Sequence, residues 1–292
     1  MTARGILGQR QRGYAVVRLN TAGRITSKQF RKLYEVAKDL GKGYALITMR
    51  KGIELPWIKK EMVRECVWRL EETDLRPGSS GREVRSIVTC AGEGRCPFFR
   101  GGMGSLVAEI GARYYGRSMP SKFDITLCGC PNYCSHPYLN DVGIIGKARP
   151  KINREKCIGC GQCVRLCRGD RGGAIMQRSV DPPLVDYEKC IECGWCIANC
   201  PTGAMEAEKE GCTIIVGGRG GAKPKLAVEL VKIVSEEEAL EILGRIFNYV
   251  KEHSKHNERL SDLIEREGLE RFKEYVLQPP VPVVADGGGE DD

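Results

Sequence analysis

The chain of 292 residues has no apolar run long enough to cross a bilayer and no leader pattern of charge followed by an apolar stretch. It is therefore expected to be cytoplasmic, with no membrane span. It also lacks a basic stripe interleaved with aromatics, so its formal charge of +8 is not the footprint of a nucleic-acid binder. Motifs for flavin or nicotinamide are missing too. The glycine run Gly217-Gly218-Arg219-Gly220-Gly221 does not fit G-x-G-x-x-G in a βαβ setting. Histidine numbers three. His253 and His256 read as inert at a polar helix end, and His136 reads equally as a structural residue or a proton donor.

Cysteine is plentiful: fifteen residues in a chain long enough to bury a substantial core in two or three domains. They are not compensating for small size. In a reducing compartment they are thiols or metal ligands rather than a disulfide framework, and C-x-x-C spacing favours metal.

Periodicity organises the rest of the chain. Residues 14 to 20 alternate as a strand, and Ser27 is expected to cap a helix with Phe30, Leu33, Tyr34, Ala37 and Leu40 on its apolar face, ended by Gly41. A second strand is expected over residues 44 to 49. A second helix follows near 59 to 72, with Val63, Cys66, Val67 and Leu70 on one face and Cys66 in the core. This unit, residues 1-75, is small for an independent domain and needs a partner surface. Pro77-Gly78-Ser79-Ser80-Gly81 reads as a linker. Strands are then expected at Glu83 to Thr89, Phe123 to Leu127 and Val142 to Ile145, with a helix after Gly104. Residues 151-209 form a separate compositional block that looks inserted, because a strand resumes at Cys212 to Val216. Ser235 and Glu238 form a capping-box pattern that opens a helix carrying Leu240, Leu243, Ile246, Phe247 and Val250. A further helix is expected around 260 to 276, and 279-292 is proline-, glycine- and acid-rich, the composition of a disordered tail.

Within the inserted block, Cys157, Cys160, Cys163 and Cys167 repeat as Cys190, Cys193, Cys196 and Cys200, each C-x2-C-x2-C-x3-C. This is the spacing of two-cluster ferredoxins, in which the fourth cysteine of each run ligates the other cluster. The expected sets are Cys157, Cys160, Cys163 and Cys200 for one [4Fe-4S] cluster, and Cys190, Cys193, Cys196 and Cys167 for the other. Structural zinc pairs two C-x-x-C units rather than placing three cysteines in register. Arg168 stands where the first run would carry the proline that follows Cys200.

A third set lies outside the block: Cys90-x5-Cys96 and Cys130-x3-Cys134. Spacing alone permits a four-cysteine zinc site or an iron-sulfur cluster, and Cys128, on the same strand face as Cys130, competes as a ligand. Thr89-Cys90 through Cys96-Pro97, followed by Gly129-Cys130-Pro131-Asn132-Tyr133-Cys134, resembles the cluster motif of sirohaem-dependent sulfite and nitrite reductases. The resemblance runs from about residue 10 to 278 and is nearest to the small single-copy type with an internal ferredoxin insertion.

That resemblance implies an α+β fold. Residues 1-75 would be a ferredoxin-like half-domain, 76-150 and 210-278 the two parts of a sirohaem/[4Fe-4S] domain, and 151-209 the inserted ferredoxin domain. It implies a third [4Fe-4S] cluster on Cys90, Cys96, Cys130 and Cys134, with Cys134 also bridging to the sirohaem iron. In Thr48-Met49-Arg50-Lys51, Arg50 would bind substrate or sirohaem, although Lys51 replaces the usual glutamine. Arg85 matches a second pocket arginine and Lys122 the first of two paired lysines; Asp124 occupies the place of the second. Gly217, Gly218 and Arg219 would lie at the sirohaem periphery.

The function implied is six-electron reduction of sulfite to sulfide, fed by a partner protein through the ferredoxin clusters, in a homodimer or higher oligomer. Nitrite, a monoanion, tolerates the Asp124 exchange better and is the alternative substrate. An electron-transfer subunit without sirohaem is the alternative from another class. With twelve ligating thiolates and three 2+ clusters the net charge falls to about +2, and the eight sirohaem carboxylates make the loaded protein acidic.

Overall fold

The computed structural model describes residues 4–21, 23–92, 94–100, 103–177 and 182–278; the expected tail, 279–292, lies outside the described residues. Alternation in β2 (Tyr14–Leu19) buries Ala15, Val17 and Leu19. With β1 (Ile6–Gly8), β3 (Leu46–Ile47) and β4 (Ile53–Lys59) it forms an antiparallel sheet of order β1-β2-β4-β3. The strand expected over 44 to 49 is thus reduced to two residues. β4, which was not expected, carries the central pairing instead. Pro56 disguised it, since a proline cannot donate to the ladder; the register shift opposite, between Ala15 and Val17, accommodates the interruption.

Helices α1 (Ser27–Leu40) and α2 (Val63–Glu71) pack on this sheet through Leu33, Val36, Ala37, Cys66 and Leu70. The cap of α1 is Thr26, not Ser27: the Thr26 hydroxyl accepts the Gln29 N–H at 3.3 Å, and Gln29 Oε1 accepts the Thr26 N–H at 3.0 Å. Phe30 and Tyr34, expected in the core, are 60% and 63% exposed. The sheet meets α1 along Leu33, Val36 and Ala37, so the border of the apolar stripe is left outside. The expected linker is fastened rather than loose: Gly78 donates to the Arg18 carbonyl at 2.8 Å, and Ser79 is buried and donates its N–H to the Tyr115 hydroxyl at 2.8 Å.

The second sheet is mixed. β5 (Val84–Thr89), β6 (Phe123–Cys128) and β7 (Val142–Ile152) run parallel, and β10 (Met205–Val216) and β11 (Val228–Val234) continue it antiparallel in the order β11-β10-β7-β6-β5. α3 (Met103–Tyr114) connects β5 to β6. α6 (Glu236–His253), capped by Ser235 accepting the Glu238 N–H at 3.1 Å, packs with α3 on a core of Ile110, Phe123, Ile125, Ile144, Ile214, Leu243, Ile246 and Phe247. The last expected helix is two, α7 (Leu260–Glu267) and α8 (Leu269–Val276), because Gly268 has φ +93 and breaks the helical path.

β7 and β10 are longer than their apolar runs. They pair from Val142 opposite Val216 as far as Ile152 opposite Met205, so the expected block edges at 151 and 209 fall inside strands. Between the strand ends lie α4 (Gln162–Leu166), α5 (Trp195–Ala198) and a ribbon of β8 (Ile175–Met176) and β9 (Leu184–Val185). This segment has its own small core of Cys163, Ile175, Cys196 and Met205.

Candidate functional site

Parallel pairing of β5 and β6 sets the third cysteine group. Cys90 follows the C-terminal end of β5 and donates its N–H to the Leu127 carbonyl at 3.1 Å, while Cys130 follows the end of β6. Gly129 donates its N–H to Cys90 Sγ at 3.3 Å. The thiol of Cys130 is raised first by burial and further by its neighbours Cys96, Cys134 and Cys90. Burial pushes Cys128 up to about 11, and Cys90 and Cys134 lie near enough for their charge to raise it, but its buried sulfur is engaged 2.8 Å from Ser135 Oγ. The stretch from Cys130 to His136 is tight, with Tyr133 and His136 at φ +53 and +52, a strained conformation of the kind functional loops hold.

In the segment between β7 and β10, two hollows are each walled by four cysteines. Cys157, Cys160, Cys163 and Cys200 line one; Cys167, Cys190, Cys193 and Cys196 line the other. Each therefore draws three cysteines from one run and the fourth from the other. Among the described residues no three His, Cys, Asp or Glu side chains converge as a single ion requires. Burial pushes the Cys196 thiol up to about 12 and lifts Cys163 and Cys190. At Cys200 burial also pushes upward, but the backbone N–H groups of Met205 and Thr202 outweigh it and the thiol is lowered. Ligation to iron needs thiolates, so cluster uptake is coupled to proton release. The remaining cysteines, Cys66 and Cys212, are buried in the hydrophobic cores.

A cavity of about 580 Å³ lies beside the third group, between the two sheets. Arg50, Arg85 and Lys122, from three separate segments, all line it, and its wall continues through Ser135 and His136, directly after Cys134. Arg18 and Arg259 line it as well. No sequence motif marked these two; tertiary packing alone brings them in. Thr48 and Gly52 close the Arg50 turn with a backbone hydrogen bond of 2.9 Å, and Lys51 donates its amine to the Thr89 carbonyl, tying that turn to the strand end that bears Cys90.

Asp124 sits at the floor, 3% exposed, with Oδ2 at 3.2 Å from Nη2 of both Arg50 and Arg85 and Oδ1 accepting from Ser86 Oγ at 2.8 Å. Burial alone would raise its pKa; the two arginines and Ser86 outweigh that and hold the carboxyl below its ordinary range. Behind it, Asp141 accepts the Asp124 N–H at 2.9 Å and takes two hydrogen bonds from Arg259, at 3.1 and 2.8 Å, while full burial raises it to about 6. Arg18 is paired with Glu54 at 2.8 Å. With Asp124, Asp141 and Glu54 ionised, the five cations lining the cavity keep two positive charges in excess. Desolvation, with Arg259 and Arg85 close by, lowers the Lys122 amine below its ordinary value.

The glycine run is placed differently from expectation. Gly220 and Gly221 line the cavity. Arg219 instead grips Asp262 at 2.7 and 2.8 Å and the Lys223 carbonyl at 2.8 Å, while Gly217 donates to the Asp141 carbonyl. At Gly218 a Cβ would lie 2.3 Å from the Tyr138 oxygen, so this glycine serves close backbone packing.

The cavity fits an anionic tetrapyrrole. Its volume is in the range of cofactor pockets, its wall is cationic, and Arg85 Nε is buried with no hydrogen-bond partner among the described residues, a donor that a carboxylate or oxyanion would satisfy. The two four-cysteine hollows fit iron-sulfur groups by donor type.

Comparison with known proteins follows the same lines. The family described as "Nitrite and sulphite reductase 4Fe-4S domain" matches residues 80–282, and "Nitrite/Sulfite reductase ferredoxin-like half domain" matches 7–73. The coenzyme F420-dependent sulfite reductase of Methanocaldococcus jannaschii is 32% identical over 278 residues, covering 94% of this chain, which spans 44% of that longer protein. A component of the anaerobic sulfite reductase of Salmonella typhimurium is 27% identical, over 91% of this chain and 84% of its own length. Among solved structures, dissimilatory sulfite reductase I superposes with a TM-score of 0.75 at 22% identity, over 92% of this chain and 70% of that one, a likeness of fold. The two family matches together take in nearly all of the sequence, and the chain belongs to the nitrite and sulphite reductase family.

Proposed function

We propose that this protein is a sulfite reductase that takes sulfite to sulfide by six electrons, with sirohaem in the cationic cavity and a [4Fe-4S] cluster on Cys90, Cys96, Cys130 and Cys134. One observation carries this reading: Arg50, Arg85 and Lys122 converge on a cavity whose wall runs on from Cys134. The sirohaem and its cluster supply the metal site and the electrons. Cys134, exposed at the end of its loop and followed by the cavity-lining Ser135 and His136, would hold the cluster beside the sirohaem site. Arg50 and Arg85 give permanent charge to hold the oxyanion, and Lys122, its amine lowered, gives up protons as the oxygens leave as water.

Two further [4Fe-4S] clusters, one per four-cysteine hollow, make residues 151-209 the electron entry. A separate donor protein or partner subunit feeds them. The names of the sulfite reductase relatives support sulfite as substrate. Among the described residues no helix is long and apolar enough to cross a membrane. Reduced thiols, which iron ligation needs, suit work in the cytoplasm. The half-domain leaves Phe30, Tyr34, Leu46 and Ile47 exposed, with Ile47 at 86%. Exposed apolar side chains of this kind support assembly into a homodimer or higher oligomer.

Nitrite is the second reading, favoured by Asp124, which cancels one charge of the arginine pair. Tetrapyrrole extraction from anaerobically purified protein, made with sirohaem supplied, tests the proposal. Near one sirohaem per chain supports it. None, with the iron-sulfur content intact, makes the chain an electron carrier.

A further inference from the structure

Two of the three cysteine groups are joined through a single residue. From Cys96 the chain runs through Pro97, Phe98 and Phe99 to Arg100, whose backbone N–H donates to the Gly129 carbonyl at 2.7 Å, immediately before Cys130. The Arg100 side chain turns the other way, and its Nε donates to the Cys193 carbonyl at 3.3 Å. The same residue thus hydrogen-bonds a ligand loop of each group. Its Nη1 reaches the Phe99 carbonyl at 3.4 Å, whereas its Nη2 is buried with no partner among the described residues.

The surroundings hold this arrangement in place. Phe98 packs on Trp195 with ring centroids 4.2 Å apart, and Arg171 lies over Phe98 at 4.4 Å. Gly194, at φ +65, leaves room for the guanidinium; a Cβ there would lie 2.9 Å from Arg100 Nε. The Cys193 loop is held against β7 by the Ala148 N–H donating to the Glu192 carbonyl at 2.8 Å and by the half-buried Lys147–Glu192 pair at 3.1 Å. A buried guanidinium donor without a partner is costly unless an anion meets it. Four thiolates around a 2+ iron-sulfur core carry two negative charges, and a third on reduction.

We propose that Arg100 is a positioning residue that locks the Cys167, Cys190, Cys193, Cys196 set against the Cys90, Cys96, Cys130, Cys134 set, and that its fixed charge favours the reduced state of both. The inference rests on the proposed function, in which both sets hold clusters. Each transfer across this contact moves one electron, oxidising the group on the Cys190 set and reducing the group on the Cys90 set, with no bond made or broken. The reducing equivalent originates in the external one-electron donor. None of the Arg100 contacts above reaches Cys157, Cys160, Cys163 or Cys200, so the group on those residues serves as an internal reference.

The experiment is an anaerobic redox titration of the full-length loaded protein, followed by electron paramagnetic resonance, after iron and sulfide have been measured. In Arg100→Met the reduced-to-oxidised ratio of the two adjoining groups at fixed potential is expected to fall about tenfold, a downward shift of about 59 mV for a one-electron couple. The reference group stays in place, and Arg100→Lys, which keeps the charge, stays close to the wild-type protein. The inference is overturned if Arg100→Met carries full iron and unshifted potentials, or if Arg100→Lys shifts as far as Arg100→Met. Arg100→Gln carries the same test should the methionine variant not accumulate, and unshifted potentials there overturn it equally. Wild-type protein with iron for fewer than three clusters would instead overturn the proposed function.

Discussion

Replacing Asp124 with asparagine separates charge from shape at the cavity floor. The carboxylate stands 3.2 Å from Nη2 of both Arg50 and Arg85. An anion gripped on the far side of either guanidinium lies at roughly twice that distance, about 7 Å from Asp124. At an effective dielectric constant of about 40, between a protein surface and bulk water, one unit charge is repelled there by about 1.2 kcal/mol. Asp124→Asn therefore favours a monoanion by about that amount and a dianion by about twice as much. The ratio of kcat/KM for the sulfite dianion over that for nitrite should rise roughly sevenfold. The assay is steady-state turnover with a reduced low-potential dye, at low salt and at a pH where sulfite is doubly charged. An unchanged or falling ratio would refute the electrostatic account of this residue. The same variant should lose about 2 kcal/mol of stability, less than a fully buried pair because the Arg50 side chain is 43% exposed.

Cys128→Ala should retain the full iron content, since that thiol is buried against Ser135; loss of one cluster's worth of iron would make Cys128 a ligand. Gly129→Ala should destabilise the protein by about 1–3 kcal/mol and deplete iron from the Cys90 set. A Cβ there would lie 2.1 Å from the Phe99 ring, and full iron with an unshifted unfolding midpoint would contradict this packing. If Lys122 supplies protons, turnover should fall on an alkaline limb below the ordinary lysine value of 10.5, because desolvation and then Arg259 and Arg85 make the amine easier to deprotonate. Arg259→Met, which removes one of those charges, should carry the limb to higher pH; a limb that does not move would take Lys122 out of that role.

Much of this architecture could be read in the residues because it is local. The two C-x2-C-x2-C-x3-C runs, the strand-like stretches of β5 and β6, and the Ser235 cap each lie within a few neighbouring positions. The failures have definite causes. β4 was hidden by Pro56, and the wide apolar stripe of α1 gave no sign that Phe30 and Tyr34 would fall outside the contact with the sheet. In the cavity, Arg50, Arg85 and Lys122 could be found through a family resemblance, whereas Arg18, Arg259 and Asp141 belong to no short pattern. Their roles come from pairing between segments up to 118 residues apart, as Asp141 and Arg259 show. Arg219 shows a related limit: the glycine run reaches the cavity through Gly220 and Gly221, while the arginine turns to Asp262, a partner 43 residues on that the loop sequence does not reveal.

The pairing of Ile152 with Met205 means that the chain leaves the second sheet and returns to it at neighbouring points. Loop closure grows more costly only with the logarithm of length, by about 0.6 kcal/mol per doubling. From a tight turn to the roughly fifty residues between Ile152 and Met205 is about four doublings, so the β7–β10 ladder gives up only about 2 kcal/mol to carry the whole cysteine-bearing segment at its open end. Among the described residues, none that lines the cationic cavity belongs to that segment, so its chain can vary without altering the cavity wall. The contacts of Ala148 with Glu192 and of Arg100 with Cys193 are what fasten it to the sheet and to the loop after Cys96.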